Sequence, residues 1–207
     1  MTMTILDQPL DKLNIAVFDI ETTGLLPDRD HILQIALVHI KNGQLTGIQR
    51  EWKVNPGDQI TIPGEVLRLT GLNEPELRVA PPLAEVFPQF HRAVGNAVVA
   101  GHNVKYFDLP FIRAAKRQRA SDTPRYYIDT LLLARRLRPA QPNHRLATCA
   151  REYGLSFDPG ALHDALEDTL LCAQLLLHQI KEMRDKGIIT FGDLINYLNQ
   201  GWIPQRN

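Results

Sequence analysis

The first 56 residues contain three apolar runs with the composition of β-strands, separated by short connections. They read LNIAVFDI at 13–20, HILQIALVHIK at 31–41 and GIQREWKVNP at 47–56. Short apolar runs rich in Val and Ile predict buried strands. The Asn-Gly-Gln sequence at 42–44 predicts a hairpin turn between the second and third runs. We therefore expect the chain to begin with an antiparallel meander of three strands.

The remainder of the chain alternates strand and helix patterns. NAVVAGHN at 96–103 and RYYIDT at 125–130 predict two more strands. Helical patterns occupy seven other segments: 61–72, 81–94, 108–119, 131–138, 143–154, 163–187 and 190–200. Paired strands followed by strand–helix alternation predict an α/β fold, a mixed five-stranded sheet flanked by helices.

Composition is that of a soluble globular protein. The chain has 207 residues, 44% hydrophobic and 22% charged, which is enough for one domain with a substantial core. We expect an N-terminal extension at 1–13, a main domain at 14–184 and a C-terminal helix and tail at 185–207. Two cysteines, Cys149 and Cys172, argue against a disulfide scaffold and are expected to be inert packing residues.

Localisation is predicted from what the sequence lacks. No run approaches the 18 apolar residues of a membrane span, and the N-terminus has no basic region followed by an apolar run. We therefore expect a cytoplasmic protein with no membrane partner.

Charge is unevenly distributed although the formal net charge is zero. Residues 113–151 contain ten Lys or Arg and only two acids. This segment either supplies solvated helix faces or forms a positive surface for a polyanion. Several of its arginines lie beside apolar helical residues, so not all of them can share one face.

Two acids end the first strand. Asp19 and Glu21 are two residues apart, and side chains at that spacing point to the same face of a strand. Such a pair repels unless a proton or cation lies between the carboxylates. Either the strand is leaving the core at this point, or the pair binds a hard divalent metal through oxygen.

Two further acidic segments can also be interpreted either as structural or as metal-binding. Asp108 follows the fourth strand and precedes a helix, where it is either an N-cap or another metal ligand. Asp164 and Glu167 fit a capping box, which places His163 just before the helix and Asp168 in its first turns. With His163 outside the regular helix, His163 and Asp168 can reach one site.

Taken together, these motifs resemble those of the DEDDh family of 3′→5′ exonucleases. The pattern is D-x-E at 19–21, GHNVKYFD ending at Asp108, and H-x4-D at 163–168, within a match spanning about 14–180. IPGEVLRLTGL and IDTLLLARRLRP look like the proofreading (epsilon-like) branch, related to the DNA polymerase III epsilon subunit. HNVKYFD has one residue more than epsilon-like members usually have, which resembles some polymerase-linked domains.

The resemblance implies an RNase H-like fold and a set of functional residues. Two divalent ions, Mg²⁺ or Mn²⁺, would be held by Asp19, Glu21, Asp108 and Asp168, with His163 as general base. Substrate binding would fall to Thr22, Thr23, Gly24, Leu25, His102, Asn103 and Phe107. For several of these, turn formation or core packing is the alternative explanation, and core packing is the expectation for Phe107.

The function implied by the resemblance is metal-dependent 3′→5′ exonuclease activity. We expect hydrolysis of single-stranded DNA from its 3′ end, with release of nucleoside 5′-monophosphates, in proofreading or repair and with a polymerase as a possible partner. Two alternatives stay open at this point: an RNA 3′-end trimming exoribonuclease, and a non-catalytic polymerase-associated subunit. The segment 188–207 either docks a partner or packs on its own domain.

Overall fold

The computed structural model describes residues 4–116, 126–161 and 164–199. The five strands are β1 (Ile15–Thr22), β2 (Ile32–Lys41), β3 (Gln44–Lys53), β4 (Val98–Gly101) and β5 (Tyr127–Asp129). The helices are α1 (Gly64–Thr70), α2 (Glu74–Val79), α3 (Leu83–Val94), α4 (Asp108–Lys116), α5 (Thr130–Leu137), α6 (Leu146–Glu152), α7 (Ala165–Asp185) and α8 (Phe191–Asn199). Short 3-10 helices occupy Ile5–Asp7, Leu10–Lys12 and Pro159–Ala161.

The five strands form one mixed sheet in the order β3-β2-β1-β4-β5, as predicted. β1 pairs antiparallel with β2 and parallel with β4, and β5 continues the parallel half. The predicted hairpin between β2 and β3 is present, with Asn42 and Gly43 both at positive φ. An Asn-Gly turn of this kind matches the twist of the strands that it joins.

Both faces of the sheet are covered. On one face, Ile15, Val17, Val38 and Ile40 belong to a core cluster that also includes α7 residues such as Leu176. Alternate residues of the same strands point to the opposite face and pack against α3 and α4 in a second cluster. The acids of β1 are therefore positioned by a strand that is packed on both sides.

The two ends of the described chain meet on the first of these clusters. Leu10 and Leu13 from the N-terminal segment are buried there with Phe191 and Leu194 of α8. Ile195 and Leu198, which could have docked a partner, also pack on this core. For these side chains the structure favours packing, whereas Trp202 lies outside the described residues. The division into 1–13, 14–184 and 185–207 stays a prediction.

Several boundaries differ from expectation. β1 continues two residues beyond 13–20 and has a register shift between Glu21 and Thr22 where it pairs with β2. Helix α2 was not predicted, because Pro75 and the prolines that follow this helix obscure its short pattern. Conversely, α3 tolerates the internal Pro88, as expected. The part of the basic segment at 117–125 lies outside the described residues.

Gly101 ends β4 where the backbone of β1 passes very close. A Cβ at this position would lie 2.8 Å from the carbonyl oxygen of Phe18 and 3.0 Å from Cβ of Val104. Backbone and a β-branched side chain cannot move aside easily, so only glycine fits without a shift.

Gly101→Ala is accordingly predicted to lower the free energy of unfolding by about 1–3 kcal/mol, the usual range for overpacking. Thermal or urea unfolding measures the change. Gly64→Ala is the matched control, because a Cβ there meets nothing closer than 3.8 Å. Equal stability of the two variants would contradict the steric explanation.

Candidate active site

Four acidic residues from three elements come close together at the end of β1, and we call this cluster the acid pocket. Asp19 and Glu21 point to the α7 face of the sheet, Asp108 is the first residue of α4, and Asp168 lies in the first turns of α7. The carboxylates are close enough to change one another's pKa values. Asp108, Glu21 and Asp168 all raise the pKa of Asp19, and Asp168 and Asp108 raise that of Glu21. The structure thus brings together carboxylates that are far apart in sequence.

Burial is the largest cause of the raised pKa values. It raises the pKa of Asp19 well above its usual range and that of Glu21 to about 8, and the neighbouring carboxylates add to both shifts. Burial also raises the pKa of Asp108 to about 7, although hydrogen bonds to backbone N–H groups partly oppose the shift. The pocket thus favours a proton or another positive charge.

Asp108 does more than begin its helix. Its Oδ1 accepts a hydrogen bond from the backbone N–H of Ile20 at 3.2 Å, and the residue is 1% exposed. The carboxylate is therefore hydrogen-bonded to the backbone of β1 between Asp19 and Glu21.

The start of α7 is set by the predicted cap. Oδ1 of Asp164 accepts hydrogen bonds from the N–H groups of Leu166 and Glu167, both at 3.0 Å. Asp168 follows one turn later, with its N–H donating to the Asp164 carbonyl at 2.9 Å. His163 lies outside the described residues, so its expected role as a base stays a prediction.

The four acids form a donor set of the kind that hard divalent cations take. Within residues 4–116, 126–161 and 164–199, however, no group of three His, Cys, Asp or Glu side chains is arranged to hold a metal ion. The residues fit such an ion in chemistry and in mutual electrostatics, and their side chains would have to close on it.

The turn after β1 is held rigid by its own hydrogen bonds. The Thr22 hydroxyl donates to the Gly24 carbonyl at 2.5 Å, and the Thr23 hydroxyl accepts from the His31 N–H at 2.9 Å. Asp30 accepts from the Leu26 N–H, and its carboxylate lies where a side chain on Gly24 would be.

Leu25 is presented to solvent by this turn. Its side chain is 77% exposed, so it is not part of the core. An apolar side chain held out next to the acid pocket is placed where a ligand could cover it.

His102 and Asn103 follow β4 and are engaged within the protein. Nε2 of His102 donates to the carbonyl oxygen of His144 at 2.9 Å, which leaves Nδ1 to accept from the Thr130 hydroxyl at 2.8 Å. Burial lowers the pKa of His102, so the ring is neutral at neutral pH. Asn103 adopts a left-handed φ of 68°. Substrate contact by either residue stays a prediction.

Asp129 was missed by the sequence reasoning. Its buried carboxylate accepts from the N–H groups of Asn103 and Lys105, both at 3.1 Å, and caps α5 through Leu131 and Leu132. It therefore fixes the loop that leads to Asp108. An Asp directly before a helical pattern was the available signal, but only the fold shows that the same carboxylate reaches the preceding loop.

Phe107 and the two cysteines are packing residues. The Phe107 ring lies 5.3 Å from that of Phe111, against the second core cluster. Cys149 and Cys172 are both buried and reduced, as expected, and burial raises the pKa of each thiol. These thiols are therefore poor nucleophiles.

In the described part of the basic segment, at 113–116 and 126–151, two of the arginines are engaged with other parts of the protein. Arg138 makes a bidentate ion pair with Glu182, and Arg136 donates to the Tyr197 carbonyl on α8. Arg113, Arg135, Arg145 and Arg151 are exposed. This agrees with the expectation that not all of the arginines share a face.

Comparison with known proteins decides the family. Residues 16–176 match the family model RNase_T, described as exonuclease. This chain belongs to the DnaQ-like 3′→5′ exonuclease family. The exonuclease family is metal-dependent, and its members are hydrolases acting on phosphodiester bonds.

Two named relatives of this chain carry DNA polymerase III names. It is 36% identical over 191 residues to the DNA polymerase III subunit epsilon-like protein of Rhodobacter capsulatus, covering 91% of this chain and 27% of that protein. It is 31% identical over 200 residues to the PolC-type DNA polymerase III of Bacillus subtilis, covering 96% of this chain and 14% of that one. The chain thus spans about a quarter or less of these relatives.

Solved structures confirm the fold. Exonuclease X in complex with 5′ overhanging duplex DNA superposes with a TM-score of 0.69 at 23% identity, covering 89% of this chain and 99% of that one. Escherichia coli exonuclease I in complex with a dA16 oligonucleotide gives 0.70 at 20% identity, covering 85% and 42%. No helix in the described parts of the exonuclease is long and apolar enough to cross a membrane.

The raised pKa values predict how stability depends on pH when a chelator is present. Unfolded Asp and Glu release protons near pH ~4, whereas folded Asp108 and Glu21 do so at about 7 and about 8. Between about pH 4 and pH 8 the folded state therefore binds more protons than the unfolded state. As a consequence, the free energy of unfolding falls as the pH rises through this range.

The melting temperature in EDTA should accordingly fall from pH 5 to pH 8. Asp108→Asn should melt at a higher temperature than the parent at pH 8 and show a smaller fall, because one of the repelling charges is gone. Asp58→Asn, which removes an exposed carboxylate, controls for the substitution. A melting temperature that rises over this interval would contradict the buried, mutually repelling arrangement.

Proposed function

We propose that this exonuclease removes nucleotides one at a time from the 3′ end of single-stranded DNA and releases nucleoside 5′-monophosphates. The observation that carries the proposal is the gathering of Asp19, Glu21, Asp108 and Asp168 into one pocket of an exonuclease-family fold. A phosphodiester is itself anionic and cannot approach four ionised carboxylates unless positive charge compensates them.

That positive charge would come from two divalent cations, Mg²⁺ or Mn²⁺, held by the four carboxylates. When bound, such ions acidify a water molecule and stabilise negative charge on the phosphate and the leaving 3′ oxygen. The chain's own contribution is to hold the acids in place. Asp108 does so through its bond to the Ile20 N–H, and Asp168 through the cap on α7.

His163 is proposed as the general base. An imidazole has an unperturbed pKa of about 6.5 and can take a proton from the attacking water near neutral pH. In the sequence it directly precedes Asp164, the cap of the helix that carries Asp168. The adjacent turn from Thr22 to Leu25 would receive the terminal nucleotide, with its backbone near the sugar and the exposed Leu25 against the last base.

We further propose that the domain serves a DNA polymerase. Its named relatives are an epsilon-like subunit and PolC-type polymerases, and the chain spans only part of each. The extra residue in HNVKYFD, which resembles polymerase-linked domains, agrees with the similarity to PolC-type proteins. Proofreading or repair is the setting that this association implies.

Degradation of 5′-labelled DNA and RNA oligonucleotides of the same sequence tests the proposal. With Mg²⁺ or Mn²⁺ we expect a ladder of shortened labelled DNA, nucleoside 5′-monophosphates as products, slower loss of RNA, and no reaction in EDTA. His163→Ala should reduce turnover by about 10²–10⁴-fold, the usual contribution of a general base, with an unchanged melting temperature.

His91→Ala, at an exposed position on α3, is the matched control and should retain parental turnover. Faster degradation of RNA would assign the chain to RNA trimming instead. Absence of degradation of either polymer would favour the non-catalytic subunit. Full activity of His163→Ala would remove this residue from the mechanism.

A further inference from the structure

A second charged groove lies on the face of the sheet opposite the acid pocket. It encloses about 630 Å³ between β2, β3 and α3. Six of its lining residues matter here: His39, Lys41, Ile48, Arg50, Trp52 and Arg92.

The groove is separate from the acid pocket. His39 is on the face of β2 that packs against α3, whereas Asp19 pairs with Ala36 on the α7 face. The groove also reaches Asn14, directly before β1, seven residues or about 23 Å along the strand from Glu21. No ligand small enough for one site could contact both.

Three cationic side chains line the groove. Lys41, Arg50 and Arg92 are exposed, and within the described residues none of them forms an ion pair. None of the described residues that line the cavity is acidic. The protein as a whole has zero formal net charge, so this cluster is a local feature. Unpaired cations along a concave surface attract an extended anion.

An apolar platform lies among these cations. Trp52 is partly exposed and packs edge-on against Phe90, with ring centroids 6.2 Å apart. Ile48, also on this face of β3, is 50% exposed. Nε2 of His39 donates to the Ala93 carbonyl at 2.9 Å and ties β2 to α3, so the two walls of the groove are held together.

We propose that this groove binds a single nucleic-acid strand at a distance from the cleaved end. Lys41, Arg50 and Arg92 contact its phosphates, and a base lies against Trp52, which is the combination that binds single strands without sequence preference. The inference rests on the proposed function, because the strand bound in the groove is the same DNA whose 3′ end is cleaved at the acid pocket. A path of about 30 Å around the sheet needs roughly nine nucleotides at the ~3.4 Å that each takes in a stacked strand, and fewer when the strand is extended.

Binding of single-stranded DNA to the full chain in EDTA, followed by fluorescence anisotropy, tests the groove. We expect Arg50→Glu/Arg92→Glu to weaken binding of a 30-mer at least 10-fold and to reduce the salt dependence by about 1.4 in log–log slope, about 0.7 per lost phosphate contact. Lys12→Glu/Lys181→Glu changes net charge equally at exposed positions elsewhere and should bind the 30-mer like the parent.

Degradation of a trimer with Mg²⁺ separates this proposal from the exonuclease function. A trimer is too short to reach the groove even with its backbone fully extended, so the Arg50/Arg92 variant should degrade it at the parental rate. Failure of the parent to degrade any DNA would refute the function, while the 30-mer affinities would still decide the groove.

Three results would overturn the groove proposal. These are parental affinity of the Arg50/Arg92 variant for the 30-mer, equal weakening by the Lys12/Lys181 variant, and binding of AMP alone as tightly as the 30-mer. Arg50→Gln/Arg92→Gln, a milder change, replaces the charge reversal if melting shows that the reversed variant is unfolded. It should weaken the 30-mer in the same direction.

Discussion

Repulsion among carboxylates confined in one partly buried pocket is the interaction on which the rest of this structure depends. Burial and mutual charge both disfavour the ionised forms of Asp19, Glu21 and Asp108. Such an arrangement persists only if the surrounding fold holds it in place. Here β1 is packed on both faces, and the apolar clusters on either side fix the strand that carries two of the acids.

The acids are also positioned by polar groups behind them. The Asp129 carboxylate holds the loop after β4 through two backbone N–H groups, and the neutral His102 ring joins that loop to Thr130 and His144. These bonds direct α4, and with it Asp108, towards β1. The polar groups of Asp129 and His102 are thus used in hydrogen bonds within the protein. Their role is to position the acids, in contrast to groups that could bind a substrate.

Much of this architecture follows from local sequence patterns. The Val- and Ile-rich runs, the Asn-Gly turn and the Asp164 cap were all predictable, because each reflects a local preference of the backbone. The convergence of Asp19 and Asp168 was not predictable from spacing alone and came from resemblance to a family. Contacts between distant segments depend on how elements pack, and single-sequence periodicity does not encode that.

The unpredicted features share this non-local origin. In the sequence, Asp129 is indistinguishable from an ordinary helix cap. Only the fold brings the N–H of Asn103, after β4, within hydrogen-bond distance of its carboxylate. The groove formed by Lys41, Arg50 and Arg92 combines two strands and a helix, so its charges are dispersed in the sequence and do not stand out. The conspicuous basic segment at 113–151, by contrast, is partly engaged with Glu182 and α8.

Crystals of the chain grown with Mn²⁺ and a nucleoside 5′-monophosphate would test the central claim most directly, through anomalous scattering at the manganese edge. The account predicts two Mn²⁺ peaks in the pocket, ligated by carboxylate oxygens from Asp19, Glu21, Asp108 and Asp168. Absence of manganese from this pocket, or a bound ion from which Asp108 or Asp168 is turned away, would contradict it.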